Sequence, residues 1–242
     1  MNQCRVVLIR PKIAANIGAT ARVMRNFGVS QLTLVSPEAE LQDPRGRLLA
    51  THAEEILDSA KVVSDLGEAV ANCVLVVGTS GRSGGLFRQQ SVGPPEQIVT
   101  HLVRAMASGP VALVFGPERT GLTDAEVTRC HHLMQIHTDA GHPALNLAQA
   151  VAISLYELHK AWQGGHSVAA IEIAPFSMQE QMFSQLQEAL VAIHFLYGDK
   201  AEPLMHGIRH MLGKARLTKM EVKLLMGLAR QMLWVARQPR EP

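Results

Sequence analysis

The stretch CRVVLIRPKIAANIGATARVMRNFG (residues 4–28) sets the terms of the fold. Residues 4–10 form a short apolar run closed by Pro11, which reads as a buried strand. Residues 16–27 read as a helix, so a strand leads into a helix that carries Asn16, Gly18 and Arg22 in its first turns. Two readings are open. One is an anion or nucleotide site at the helix N-terminus; the other is a helix that happens to start with Asn.

The same alternation continues outward. Further strands are predicted at 31–35, 61–64, 73–80, 111–116 and 132–138. Helices are predicted at 51–57, 65–71, 95–107 and 123–129, with a long one over roughly 145–162. Short apolar strands separated by helices indicate an α/β fold with a mostly parallel sheet covered on both faces. Ligands of such sheets bind outside the carboxyl ends of the strands. QGGHSVAAIEIAPFS (163–177) has glycines, no clear period and a proline near its end, and reads as a linker. Beyond it the pattern is helical only, with Phe183, Leu186, Leu190, Ile193 and Leu196 at spacings of three and four, then shorter helices near 203–213 and 219–237. The expected organisation is therefore a body over 1–162, a linker over 163–177 and a helical extension over 178–242.

Composition narrows the class. With 47% hydrophobic and 18% charged residues among 242, the chain suits a soluble protein able to bury a sizeable core. No apolar run approaches the roughly 18 residues of a membrane span, and the N-terminus lacks a cleavable leader pattern. Cys4, Cys73 and Cys130 have no metal or redox spacing and read as buried reduced thiols of a cytoplasmic protein, with no metal expected. From Pro203 onward there are eight Lys and Arg against two Asp and Glu, whereas the rest of the chain carries 15 against 19. A near-neutral to acidic body with a basic end suits a polyanionic partner, nucleic acid first, or else an ordinary solvated helical face.

Three loops after strands carry chemistry. GTSGRSGG (78–85) is either a backbone cradle for an anion or cofactor, or a turn. GPERTGLT (116–123) puts Glu118 and Arg119 between glycines, and Thr123 is suited to cap the next helix. A structural turn explains Thr123 but leaves the acid and the arginine without a reason. PALNLAQAVAISLYEL (143–158) starts a helix of small residues at Asn146, as a plain cap or as part of a site.

Taken together and in order, these loops resemble the three motifs of the SpoU (TrmH) branch of the SPOUT RNA methyltransferases. Motif one is Asn16-x-Gly18-x-x-x-Arg22. Motif two runs from Val111 to Thr123 with Gly116, Glu118, Arg119, Gly121 and Leu122. Motif three is Ala144-Leu145-Asn146-Leu147 running into Ala150-Val151 and Tyr156-Glu157. The stretch Met211 to Leu217 with Glu221-Val222 is similar to the helical extension of the TrmJ group, whose members methylate tRNA ribose in the anticodon loop.

The resemblance implies a C-terminal trefoil knot in the body, a homodimer, and S-adenosylmethionine held by Gly78, Thr79, Ser80, Gly116, Glu118, Ile136, Ala144, Leu145 and Asn146. It implies catalytic roles for Arg22, Asn16, Glu118 and Asn146. RNA contacts are expected from Arg22, Arg25, Arg82, Arg88, Arg119, Arg209, Lys214, Arg216, Lys219 and Lys223. The reaction expected is 2′-O-methylation of tRNA, at nucleotide 32 of the anticodon loop. The chain departs from the family pattern at Ala144, where a Ser is usual, and at Gly84 and Gly85, where a basic residue is common. Three alternatives follow: another tRNA position or ribosomal RNA as substrate, a non-catalytic RNA-binding dimer, or a small-molecule nucleotide enzyme on an ordinary doubly wound sheet.

Overall fold

The structure, a computed structural model, describes residues 1–80, 92–164 and 172–238. In chain order the elements are β1 (Cys4–Ile9), α1 (Ala14–Asn26), β2 (Gln31–Val35), α2 (Pro44–Leu49), α3 (Glu54–Asp58), β3 (Lys61–Val63), α4 (Leu66–Val70), β4 (Leu75–Thr79) and β5 (Val92–Gly93). They continue with α5 (Pro95–Met106), β6 (Val111–Phe115), α6 (Asp124–Thr128), β7 (His132–Met134), α7 (Leu147–Gln163), α8 (Phe176–Ala192), α9 (Ala201–Lys214) and α10 (Lys219–Ala236).

All strand pairs are parallel and the sheet order is β3-β2-β1-β6-β4-β7-β5. β1 is an interior strand, with Val7 paired to Thr33 on one side and Val114 on the other. Its alternate residues feed two cores: Cys4, Val6 and Leu8 face one, Val7 and Ile9 the other. That two-sided burial is why the strand reads as a continuous apolar run rather than an alternating one. Burial also pushes the Cys4 thiol up to about 12, so it stays protonated and inert at neutral pH.

Structure and expectation differ at α2, which was not predicted, and at β7, which is shorter than predicted. α2 is signalled only by the Asp43 cap, which accepts from the Arg45 amide, and by Pro44 in its first turn. β7 stops at Met134 instead of running to 138, because β4 ends at its pairing with Met134 and β5 pairs only Leu133 and Met134.

α8, α9 and α10 enclose a third apolar cluster that includes Met182, Phe183, Leu186, Met205 and Val222. The described end of the expected linker is packed tightly. Ile173 joins one core of the sheet, Phe176 the other and Ala174 the helical cluster, while Ile173 bridges to Thr218. A buried relay adds polarity to this seam. His131 Nδ1 accepts from the Val76 amide at 2.8 Å, its Nε2 donates to Gln179 at 3.0 Å, and Gln179 donates to the Ala174 carbonyl at 2.8 Å. Among the described residues no helix is long and apolar enough to cross a membrane, and no group of acidic, His or Cys side chains is arranged to hold a metal.

Candidate functional site

Beyond the carboxyl ends of β4, β6 and β7 lies a cleft of about 360 Å³. Its walls are Thr79 at the end of β4 with Ser80 after it, Phe115 at the end of β6 with the loop to Leu122, Met134 and Ile136 of and after β7, and Pro143 to Leu145 with Leu147 and Ala150 at the start of α7. The loop after β6 turns back on itself. A side-chain carbon at Gly116 would lie 2.3 Å from the Gly121 carbonyl carbon, and Gly121 has φ +65°, so this turn requires glycine at both positions. Thr123 and Glu126 then close a reciprocal cap on α6. Arg10, at the end of β1, donates to both oxygens of Glu126 at 2.5 and 3.2 Å. Burial works to raise the Glu126 carboxyl, but its hydrogen bonds with Arg10 and Thr123 outweigh burial and hold it below the ordinary carboxylate range.

One hydrogen-bonded chain joins the three sequence motifs. Asn146 Nδ2 donates to Asn16 Oδ1 at 2.9 Å, and Asn16 Nδ2 donates to Glu118 Oε1 at 2.9 Å. Glu118 also accepts from the Lys12 and Ile13 amides at 3.2 and 3.3 Å. Those amides precede α1, whose first residues offer no capping side chain. The cap of α1 is thus supplied by motif two. Asn146 divides its amide: the oxygen caps α7 at the Ala148 amide, with Gln149 reciprocating, and the nitrogen reaches Asn16. Asn146 is thus both the cap of α7 and a hydrogen-bond partner of motif one.

Thr79, Ser80, Gly116, Glu118, Ile136, Ala144 and Leu145 all line the cleft as expected from sequence, and Arg119, expected as an RNA contact, lines it too. Gly78 does not. A side-chain carbon there would meet Cys130, Leu122 and Leu133 at 2.8 to 3.0 Å, so it is a packing glycine on the far side of the strand. Gly18 is also a packing residue, since a side-chain carbon there would lie 1.8 Å from the Gly46 carbonyl oxygen where α1 and α2 touch. Asn16 is buried within the first turn of α1 and is not its cap.

Arg22 is six residues on from Asn16, about 120° away around the axis and roughly 9 Å along it. It is exposed, off the cleft, and has no hydrogen-bond or ion partner among the described residues. Arg25 is occupied by Glu55. Arg82 and Arg88 lie outside the described residues.

The expected basic stripe of the extension is only partly available. Arg209 donates to Glu180 at 2.5 Å and lies 4.6 Å over the Phe183 ring, and Lys219 pairs with Glu172 at 2.7 Å. Arg209 is held within the fold and Lys219 is paired on the surface, while Lys214 and Lys223 are exposed and Arg216 is half-buried. Met134, Leu147 and Ala150 are further apolar walls of the cleft; Leu147 and Ala150 stand in motif three but were given no cofactor contact, and Met134 was not singled out from sequence.

Comparison with known proteins agrees with this geometry. Residues 3–156 match the model of the SpoU rRNA Methylase family, and residues 178–241 match that of the tRNA methyltransferase TrmJ C-terminal domain. The tRNA (cytidine/uridine/adenosine-2'-O-)-methyltransferase TrmJ of Pseudomonas aeruginosa is 36% identical over 98% of this chain and 96% of its own. The tRNA (cytidine/uridine-2'-O-)-methyltransferase TrmJ of Salmonella typhimurium is 33% identical over 94% and 95%. The crystal structure of TrmJ from Z. mobilis superposes with a TM-score of 0.81 at 30% identity, covering 94% of this chain and 98% of that one. The ordered motifs, the cleft they build and these matches mean that the chain belongs to the SpoU methylase family, in its TrmJ group.

Proposed function

We propose that this protein methylates a ribose 2′-hydroxyl of tRNA, at nucleotide 32 of the anticodon loop, with S-adenosylmethionine as donor. The observation that carries the reading is the Asn146–Asn16–Glu118 chain, which locks three motif loops around one cleft. The cleft fits the donor: its volume is in the range of small-molecule sites, and apolar walls (Met134, Ile136, Leu145) face a polar side of Thr79, Ser80 and loop backbone. Thr79, Ser80, Gly116, Ile136, Ala144 and Leu145 would hold it. When bound, S-adenosylmethionine supplies a sulfonium methyl with a neutral thioether as leaving group.

The chain's own task is to position a ribose hydroxyl and to stabilise the alkoxide that develops there. Arg22 suits that task because a guanidinium is a permanent cation with a planar fork of donors. It binds a substrate phosphate and lowers the cost of ionising the neighbouring hydroxyl. Ala144 brings no hydroxyl to the cleft, but Thr120 and Ser80 line the same space. Asn16, Glu118 and Asn146 act as positioning residues.

The homodimer and the knot belong to the same proposal, as do the domain limits at 162 and 178 and a cytoplasmic location. Arg22 stands off its own chain's cleft, so its role requires a second copy. The exposed Ile13, Tyr156 and Trp162 on the side of α1 and α7 support such a partner.

The test is transfer from labelled S-adenosylmethionine to unmodified tRNA, followed by nuclease digestion and mass spectrometry. The expected product is a 2′-O-methylated nucleoside at position 32, and Arg22→Ala should lower transfer by about 10²–10³-fold. Product at another tRNA position, or in ribosomal RNA only, would overturn the substrate. No transfer to either RNA, with the donor bound, would favour the non-catalytic RNA-binding reading.

A further inference from the structure

A group of basic side chains meets where the helical extension docks beside the amino end of β7. α9 touches the body at Gly213, where a side-chain carbon would come 3.4 Å from the His131 ring. This contact sets the carboxyl end of α9 beside His132, at the amino end of β7. His132 stacks on His101 of α5, with ring centroids 4.6 Å apart and planes 15° from parallel. His132 lies within electrostatic reach of Lys214 and His210, and His101 within reach of Arg104 and Arg216. The methyl-transfer cleft is at the other end of β7, at Met134 and Ile136.

Three features separate this group from an ordinary solvated surface. Among the described residues neither Arg104 nor Arg216 has a carboxylate partner, in contrast to Arg209 and Lys219. The Nε of Arg216 is buried without a hydrogen-bond partner, which is costly for a charged group. Arg216 also has φ +50° just past the end of α9, in the left-handed conformation where glycine is the usual residue. The fold thus keeps a strained, unpaired guanidinium where a glycine would fit better. Arg104 and Lys214, in the last turns of α5 and α9, are favourably aligned with those helix ends; Arg216 lies beyond the helix and has no such reason.

We propose that Arg104 and Arg216, with Lys214 beside them, hold a backbone phosphate of the RNA substrate, at an anchoring point away from the methyl-transfer cleft. The proposal rests on the RNA-substrate reading above and specifies how the body and the extension grip that substrate jointly. Two guanidinium forks from different elements match the tetrahedral oxygens of a phosphate. The imidazoles do not add charge near neutral pH: burial, foremost, and neighbouring cations hold both His101 and His132 below the ordinary range. Burial and then Arg104 push Arg216 down as well, as expected where cations gather without an anion.

The test is the affinity for fluorescently labelled unmodified tRNA, measured by anisotropy over a range of salt, for the full chain and for Arg104→Ala, Arg216→Gly and the double variant. Arg216→Gly relieves the left-handed backbone, so its melting temperature should be no lower than that of the parent chain. Each single variant should weaken binding roughly three- to tenfold near physiological salt, and the double variant, which frees the one phosphate, should reduce the slope of log affinity against log salt by about 0.7 to 0.9. Affinity within about twofold of the parent and an unchanged slope in the double variant would overturn this inference alone. Failure of the unsubstituted chain to bind tRNA would overturn the RNA-substrate reading and this anchoring point with it.

Discussion

Replacing Glu118 with alanine removes three acceptor contacts at once: the Lys12 amide at 3.2 Å, the Ile13 amide at 3.3 Å and the Asn16 side chain at 2.9 Å. Loss of a helix cap costs about 1 kcal/mol, and α1 has no capping side chain of its own to substitute. The buried Asn16 amide loses its acceptor, which costs about 1–3 kcal/mol more. The expected destabilisation is therefore about 3 kcal/mol, or roughly 6–12 °C in melting temperature for a chain of this size. Glu118→Gln keeps one carbonyl acceptor and should lose about half as much. The assay is thermal unfolding followed by circular dichroism at one protein concentration, since dimer formation would make the midpoint concentration-dependent. A cycle with Asn16→Ala adds a check, because residues in one network couple by about 0.5–3 kcal/mol. If Glu118→Ala melted within about 2 °C of the parent chain while losing methyl transfer, Glu118 would be acting on the substrate and the framework role would be wrong.

Gly18→Ala sets a methyl group 1.8 Å from the Gly46 carbonyl oxygen and should cost about 3 kcal/mol in urea unfolding as α1 and α2 separate; an unchanged midpoint would show that the contact is not tight. His132, held down to about 3, is neutral when folded but titrates near 6.5 when unfolded. Its contribution is complete above the unfolded value and is lost as pH falls from there towards 3, amounting to about 2 kcal/mol between pH 7 and pH 5. His132→Asn should flatten the fall in melting temperature over that interval, and an equally steep fall would refute the assignment. Arg209→Ala loses its contacts with Glu180 and Phe183 and should cost about 1–2 kcal/mol of stability, while changing tRNA affinity by less than about twofold. A large loss of affinity at unchanged stability would return Arg209 to the RNA surface.

The parallel sheet was legible because its strands are buried on both faces, which leaves runs such as Val111 to Phe115 without a polar residue. α2 and β5 were not, because six and two residues are too few to display a period. The motif residues were legible one by one, but their joining was not: Asn16 meets Glu118 and Asn146 across 102 and 130 residues of chain. Charge counting found the basic end of the chain but not its consumption. Glu172 and Glu180 sit far from Lys219 and Arg209 in sequence, so only the fold reveals which cations are spent. Gly78 and Gly18 illustrate the same limit, since a motif glycine that approaches a ligand and one that approaches a helix leave the same letter.

The borrowed cap of α1 has a consequence for the order in which the molecule can form. The Ile13 amide waits for a carboxylate 105 residues downstream. At translation rates of about 5–20 residues per second, that separation amounts to roughly 5–20 seconds on the ribosome. Through that interval the first turn of α1 lacks its cap and β1 lacks the strand β6 beside it. The emergence of residues 111–118 then supplies the neighbouring strand and the missing acceptor in a single segment. The loop that shapes the cleft is thus also the segment whose arrival completes the start of the chain.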